Sequence, residues 1–308
     1  MTSKRQFSAR LLALLGSPLL PGLPAWAAAD TDLLANNPAS RLWAANLGAG
    51  LAKIEAASGG RLGVAILDTA TGARVTRHGD DRFPLCSTFK LLAAAAILKR
   101  VDLRKENLER KIIFEANALV PYSPVTATRT GGTGMRLAEL CEAAITVSDN
   151  TAGNLLLASL GGPAGLTRYV RSLGDRKTRL DRTEPALNQA TPSDPRDTTT
   201  PAAMLGNLQT LLTGAALSPA SRLQLLTWLE ATRTSGQRLR ARLPAGWRVG
   251  DKTGSGEHGA TNDIGILWPE HRAPLLASIY LADTAAAPDE RNATVAAVGA
   301  LLAERLPA

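Results

Sequence analysis

Residues 87–101 run through Phe89, Leu91, Leu92, four consecutive alanines, Ile97 and Leu98, with charge only at Lys90, Lys99 and Arg100. A helix that is apolar on every face cannot lie on a surface, so this segment predicts a helix enclosed on all sides by other elements. The chain supplies such elements. Helical patterns recur over 137–145, 151–160, 163–173, 201–211 and 219–231, each starting or stopping at Gly or Pro where helix ends favour them.

Patterns of the opposite kind bracket that middle. Residues 62–68 and 74–76 are two apolar runs around Thr71-Gly72, which predicts a β-hairpin. A helix over about 40–57 precedes it, with Leu42, Leu47, Leu51 and Ile54 at helical spacing. Strand patterns return at 247–250, 263–268 and 275–281, before a last helix over about 289–305. The predicted fold class is α+β. Both chain ends, 30–78 and 230–308, build a lobe with an antiparallel sheet flanked by helices, and 79–229 form an all-helical lobe inserted between them. One long irregular segment, 179–199, is rich in Asp, Pro and Thr, and a loop of that length in a compact fold usually has a functional reason.

Residues 1–29 stand apart from this plan. Lys4, Arg5 and Arg10 precede an apolar run from Leu11 to Leu20, and small residues follow around Ala25-Trp26-Ala27-Ala28-Ala29, the pattern of an export signal cleaved near Ala27 to Ala29. Gly16, Pro18, Pro21 and Pro24 interrupt the run, and it is short for a membrane span. Ser3-Lys4-Arg5-Gln6-Phe7 resembles a twin-arginine signal with Lys in the first Arg position, which leaves the Sec and Tat routes both open. The expected location is periplasmic or secreted, with no stable membrane association after cleavage.

Losing this segment removes three positive charges and no negative ones from a net charge of +8. The arginines that remain are scattered among acids, as in Asp102-Leu103-Arg104-Lys105-Glu106, with no aromatic-interleaved basic stripe to hold nucleic acid. His78, His258 and His271 are far apart with no ligand spacing, which disfavours a zinc hydrolase, and nothing calls for a nucleotide or other cofactor. Cys86 and Cys141 belong to a chain bound for an oxidising compartment, and both a bridge and two buried free thiols fit their settings.

Four short motifs follow in order: Ser87-Thr88-Phe89-Lys90, Ser148-Asp149-Asn150, Glu184 with Asn188 four residues on, and Lys252-Thr253-Gly254. Taken singly, each has a plain explanation. Ser-x-x-Lys reads as a helix-start serine with a surface lysine, Ser-Asp-Asn as a helix cap, and Lys-Thr-Gly-Ser-Gly as a glycine-rich turn after a strand. Their order tells against coincidence, and Lys90 sits in an apolar stretch where a lysine needs a reason to be. Ser87 and Lys90, three apart at a helix start, share a face, so the amine can approach the hydroxyl. A helix N-terminus adds positive potential beside them. Opening a strained cyclic amide needs an activated hydroxyl, a base, a proton donor for the leaving nitrogen, an oxyanion site and a cation for the substrate carboxylate. These motifs can supply each.

In motif order, spacing and predicted lobes, the chain after the signal resembles the class A serine β-lactamases, whose Ser-x-x-Lys, Ser-Asp-Asn and Lys-Thr-Gly signature is shared with penicillin-binding proteins. The resemblance implies the two-lobed serine β-lactamase/DD-peptidase-like fold and a monomer acting on a small-molecule β-lactam. It implies that Ser87 forms the acyl-enzyme, its proton going to Lys90 or through water to Glu184. Ser148 serves the leaving nitrogen, and Glu184 with Asn188 activates the deacylating water. The N–H groups of Ser87 and Ser255 form the oxyanion hole. Asn150 holds the acylamino side chain, while Lys252, Thr253 and Ser255 hold the carboxylate, supported by Arg238. Tyr122 walls the cleft, Arg182 and Asp197 close the loop that carries Glu184, and Glu184-Pro185 is cis.

Two departures narrow the expectation. The family bridge from the Cys86 position needs a cysteine where this chain has Gly256, and the bridge from the Cys141 position needs one where it has Ala94. The resemblance therefore implies two free thiols and no carbapenemase-type disulfide. Ser255 is a hydroxyl residue at a position associated with cephalosporin turnover, so penicillins and early cephalosporins are the expected substrates. A penicillin-binding DD-peptidase and a non-hydrolysing β-lactam sensor domain are the rival readings, and the Glu184 and Asn188 pair speaks against both.

Overall fold

The computed structural model describes residues 37–306; the expected export signal lies outside these. Helix α1 (Pro38–Ser58) is started by Asn37, whose side chain accepts from Ser40 N at 2.8 Å, and by Pro38 at the first position. It stops at Gly59, whose φ of +61° suits glycine. Its buried stripe is Trp43, Leu47 and Leu51. Leu42, read from spacing as part of that stripe, is 63% exposed, because Trp43 one position on takes the inward place.

Strands β1 (Arg61–Asp68) and β2 (Arg74–Arg77) form the expected hairpin. Near the other chain end come β7 (Arg248–Ser255), β8 (Thr261–Trp268) and β9 (Leu275–Ala282), followed by the last long helix, α8 (Pro288–Arg305). All five join one sheet in the order β2-β1-β9-β8-β7, antiparallel throughout. The fold is α+β. Strand alternation sorts the core into two: Val64, Ile66 and Ile279 face α1 and α8, whereas Leu67, Ile264, Leu276 and Tyr280 face the helical middle of the chain.

That middle is built around α2 (Phe89–Asp102), in which every residue from Phe89 to Leu98 is buried. Around it pack α3 (Leu137–Thr146), α4 (Asn150–Leu160), α5 (Gly162–Ser172) and α7 (Pro219–Glu230). Helix α6 (Pro201–Leu208) lies on β1 and β9 and passes into a π-helical turn over Gln209–Thr213, where the sequence pattern suggested one continuous helix. Two short pairings were not evident from the sequence: β3 (Phe83–Pro84) with β6 (Thr198–Thr199), and β4 (Lys111–Ile112) with β5 (Met135–Arg136). The first ties the segment just before Ser87 to the end of the long loop. Among the described residues, no helix is long and apolar enough to cross a membrane.

Two sequence readings shift in ways that bear on the site. Ser87 stands on a 3₁₀ turn, Cys86–Thr88, that leads into α2 rather than on the α-helix itself. Lys252-Thr253-Gly254 lies inside β7 instead of after it, at the edge of the sheet. The strand pattern was legible only up to Gly250, since Lys, Thr and Gly carry no apolar alternation.

Candidate active site

The 3₁₀ turn presents Ser87 with Cys86 in the left-handed region at φ +43°, a conformation a non-glycine residue keeps only when its surroundings enforce it. One turn on, Lys90 is wholly buried and its Nζ donates to Ser87 Oγ at 2.9 Å. The same amine donates to Ser148 O at 2.8 Å, Ser148 Oγ at 3.3 Å and Asn150 Oδ1 at 2.6 Å, and it stands 3.1 Å from Glu184 Oε1. Room for it comes from α4. A Cβ on Gly153 would approach Lys90 Cε to 2.8 Å, so this helix keeps a glycine that costs it about 1 kcal/mol of propensity relative to alanine.

Ser148, at φ +60°, sits just before α4, and Asp149 caps that helix by accepting from Ala152 N at 2.8 Å. The capping reading of Ser-Asp-Asn thus holds for Asp149. Asp149 also accepts from the backbone N–H groups of Val125 and Thr126, so the cap fixes the segment next to Tyr122. Ser148 and Asn150 point the other way, into the cleft. Ser148 Oγ lies between two amines, since Lys252 Nζ donates to it at 3.0 Å.

Glu184 comes from the long loop, which Asp197 closes: its carboxylate pairs with Arg182 Nε at 2.6 Å and accepts from the N–H groups of Asp181 and Arg182. The Glu184-Pro185 bond is cis. Ser87 Oγ donates to Glu184 Oε1 at 3.3 Å, and Asn188 Nδ2 donates to Oε2. Asn154 clasps the Glu184 backbone from both sides, donating to its carbonyl at 3.0 Å and accepting from its N–H at 2.9 Å. Asn154 was not picked out from sequence, although its place four residues after Asn150, on the same helical face, was the available signal.

At the β7 edge, Thr253 Oγ1 shares a 2.6 Å hydrogen bond with Thr234 Oγ1. Arg238 donates to Ser255 Oγ at 2.6 Å, the carbonyls of Gly254 and Asn262, and Asn292 Oδ1. Tyr122 stands at the mouth, 61% exposed and at φ +63°. Ser87, Tyr122, Ser148, Asn150, Asn188 and Ser255 are among the residues lining the resulting cleft of about 400 Å³. Larger hollows lie beside Trp43 and Trp247 and between α1 and α8, but neither sets a hydroxyl against a buried amine.

Burial governs the charges. It pushes the Lys90 amine below the usual lysine range against the opposing pull of Glu184, and it pushes Lys252 well below that range too, with the help of the Lys90 charge. Arg238 is lowered by burial too. Beneath β7, burial and the neighbouring Asp251 carboxylate raise Asp263 well above the usual carboxyl range. The Cys86 thiol is pushed up to about 12, by burial first and Glu184 second, and both Cys86 and Cys141 are buried and free. A Cβ on Gly256 would lie 2.7 Å from Cys86 Sγ, so the place a bridging cysteine would occupy holds glycine.

This arrangement holds a serine hydroxyl between an amine and a carboxylate, a second hydroxyl between two amines, and a cationic, hydroxyl-lined strand edge. A family model described as the Beta-lactamase enzyme family matches residues 46–306. The chain is 48% identical over 254 residues to Beta-lactamase CTX-M-8 of Citrobacter amalonaticus, covering 82% of this chain and 87% of that one. To Beta-lactamase OXY-1 of Klebsiella oxytoca it is 47% identical over 256 residues, covering 83% and 88%. Among solved structures, an ancestral class A β-lactamase superposes with a TM-score of 0.83 at 61% identity, over 84% of this chain and all of the other. The putative class A β-lactamase PenP from Rhodopseudomonas palustris gives 0.83 at 56% identity, over 84% and 99%.

Proposed function

The chain belongs to the class A β-lactamase family and hydrolyses β-lactams, conferring resistance to them, and from that premise we propose how its own residues divide the work. Ser87 attacks the lactam carbonyl, and its proton passes to the Lys90 and Glu184 pair, whose nitrogen and oxygen stand 2.9 and 3.3 Å from Ser87 Oγ. Burial supports a base role for Lys90 by favouring its neutral amine. The N–H groups of Ser87 and Ser255 receive the oxyanion. Ser148 hands a proton to the departing nitrogen and is recharged by Lys90, which passes on the proton taken from Ser87, while Lys252 keeps its own. Glu184, oriented by Asn188 and Asn154, then takes a proton from the water that attacks the acyl-enzyme.

Asn150 holds the acylamino group, Tyr122 walls it, and Lys252, Thr253, Ser255 and Arg238 hold the substrate carboxylate. The expected substrates are penicillins and early cephalosporins. The protein works as a monomer outside the cytoplasm, once the signal expected in residues 1–29 has been removed. The observation that carries the reading is the Ser87, Lys90 and Glu184 constellation. It is tested by counting penicillin consumed: many equivalents per molecule for a hydrolase, and about one for a peptidase or sensor trapped as its acyl-enzyme.

Lys252 makes a pH prediction. Its amine is charged at low pH, and because burial depresses its pKa it loses that charge at lower pH than the ~10.4 of an ordinary lysine. The KM for a penicillin should therefore begin to rise below the pH at which an ordinary lysine titrates, by roughly tenfold per unit once Lys252 loses its proton. A penicillin methyl ester, which lacks the carboxylate, should show no such rise. Parallel KM profiles for acid and ester would remove Lys252 from carboxylate binding.

A further inference from the structure

One buried side chain between the nucleophile turn and β7 is unused by the chemistry above. Asn262, in β8, is fully buried, and its Nδ2 donates to the carbonyl oxygens of Pro84 at 2.9 Å and Leu85 at 3.2 Å, the residues just before Cys86 and Ser87. Its backbone is paired with Gly254, the neighbour of Ser255 in β7. A single residue thus touches both segments that supply an oxyanion N–H.

The contact is close. A Cβ on Gly254 would come within 3.1 Å of the Leu85 carbonyl oxygen and 3.2 Å of both Asn262 Nδ2 and Cys86 Cβ. The amide orientation follows from its partners, since two carbonyl oxygens only accept and must face the nitrogen. This leaves Asn262 Oδ1 buried with no hydrogen-bond partner, which costs stability. The Leu85 carbonyl also accepts from Thr88 N at 3.2 Å and Thr88 Oγ1 at 2.6 Å, so three donors hold the turn in which Cys86 is strained.

We propose that Asn262 is a positioning residue that sets the separation of the Ser87 and Ser255 N–H groups by fastening the nucleophile turn to β7. The proposal rests on Ser87 being the nucleophile, so the experiment begins by counting active sites from the penicillin burst. A burst in the Ser87→Ala control overturns that assignment, and the role of Asn262 with it. Per counted site, Asn262→Ala should acylate about 10- to 100-fold more slowly, less than the loss of a whole oxyanion donor. A phenylboronic acid, which forms a tetrahedral adduct on Ser87, should bind more weakly by the same factor. The dissociation constant of the penicillin before acylation should stay within about twofold, because the Asn262 carbonyl that accepts from Arg238 is backbone and survives the substitution. If only the melting temperature falls, with acylation and boronate affinity per site at parent values, Asn262 is a folding pin and the proposal fails. Where the alanine variant does not fold, Asn262→Ser is read by the same three measurements.

Discussion

Glu184→Ala should leave an enzyme that takes up about one equivalent of penicillin per molecule and then nearly stops, its steady-state rate lowered about 10³-fold or more. In the proposed division of labour Glu184 and Asn188 activate the water that attacks the acyl-enzyme, and Asn154 fixes the Glu184 backbone beneath that carboxylate. Acylation should survive in slowed form, because Lys90 keeps its bond to Ser87 Oγ and its contacts with Ser148 and Asn150. Those contacts also keep the buried amine solvated by protein oxygens once its carboxylate partner is gone. Mass spectrometry of the mixture should show the protein plus one intact penicillin. Turnover at the parent rate would take deacylation away from Glu184, and absence of any adduct would make Glu184 the base for acylation as well.

Lys90→Ala should have the larger structural consequence. Lys90 and Glu184 are both essentially buried and stand 3.1 Å apart, and removing one partner of a buried ion pair typically costs about 3–5 kcal/mol, because the other charge remains without compensation. The substitution also empties the space that Gly153 leaves beside Lys90 Cε. We expect a clear drop in melting temperature and acylation slowed by about 10³-fold or more, with the penicillin burst lost on the time scale of the parent. In the parent, burial lowers the Lys90 pKa, so the neutral amine becomes more abundant as pH rises and acylation of the bound penicillin should rise with it. A Lys90→Ala enzyme that acylates within tenfold of the parent would move the base role to Glu184 alone.

Much of this site is legible in the sequence because it is carried by short runs of reactive residues whose spacing survives folding. Ser87 and Lys90 are one turn apart, and Glu184 and Asn188 lie on one small turn of the loop, so local geometry alone brings each pair together. The α2 helix was equally plain, since residues apolar on every side have only one kind of place to go. What stayed hidden depends on distant segments meeting. Asn154, Thr234 and Asn262 are ordinary polar residues in sequence, and their contacts arise only where α4 meets the long loop, where the segment after α7 meets β7, and where β8 meets the turn before Ser87. Leu42 and Trp43 show the same limit at smaller scale. Both fit a helical stripe, and only the position of the sheet decides which one turns inward.

The strand order has a consequence for how the enzyme comes into being. β1, near the start of the chain, finds its inner neighbour in β9, with Arg61 set against Ala282, so the middle of the sheet closes across most of the polypeptide. Contacts of such sequence separation form late and slowly, after a large entropic loss. While β9 is still unmade, β1 has only β2 to pair with, and β7, which carries Lys252, Thr253 and Ser255, lacks the scaffold that aligns it with Ser87. A ribosome-bound chain therefore has no assembled catalytic cleft, and a truncation that removes β9 should yield no antibiotic-degrading remnant. The central sheet therefore stays open until β9 has been synthesised.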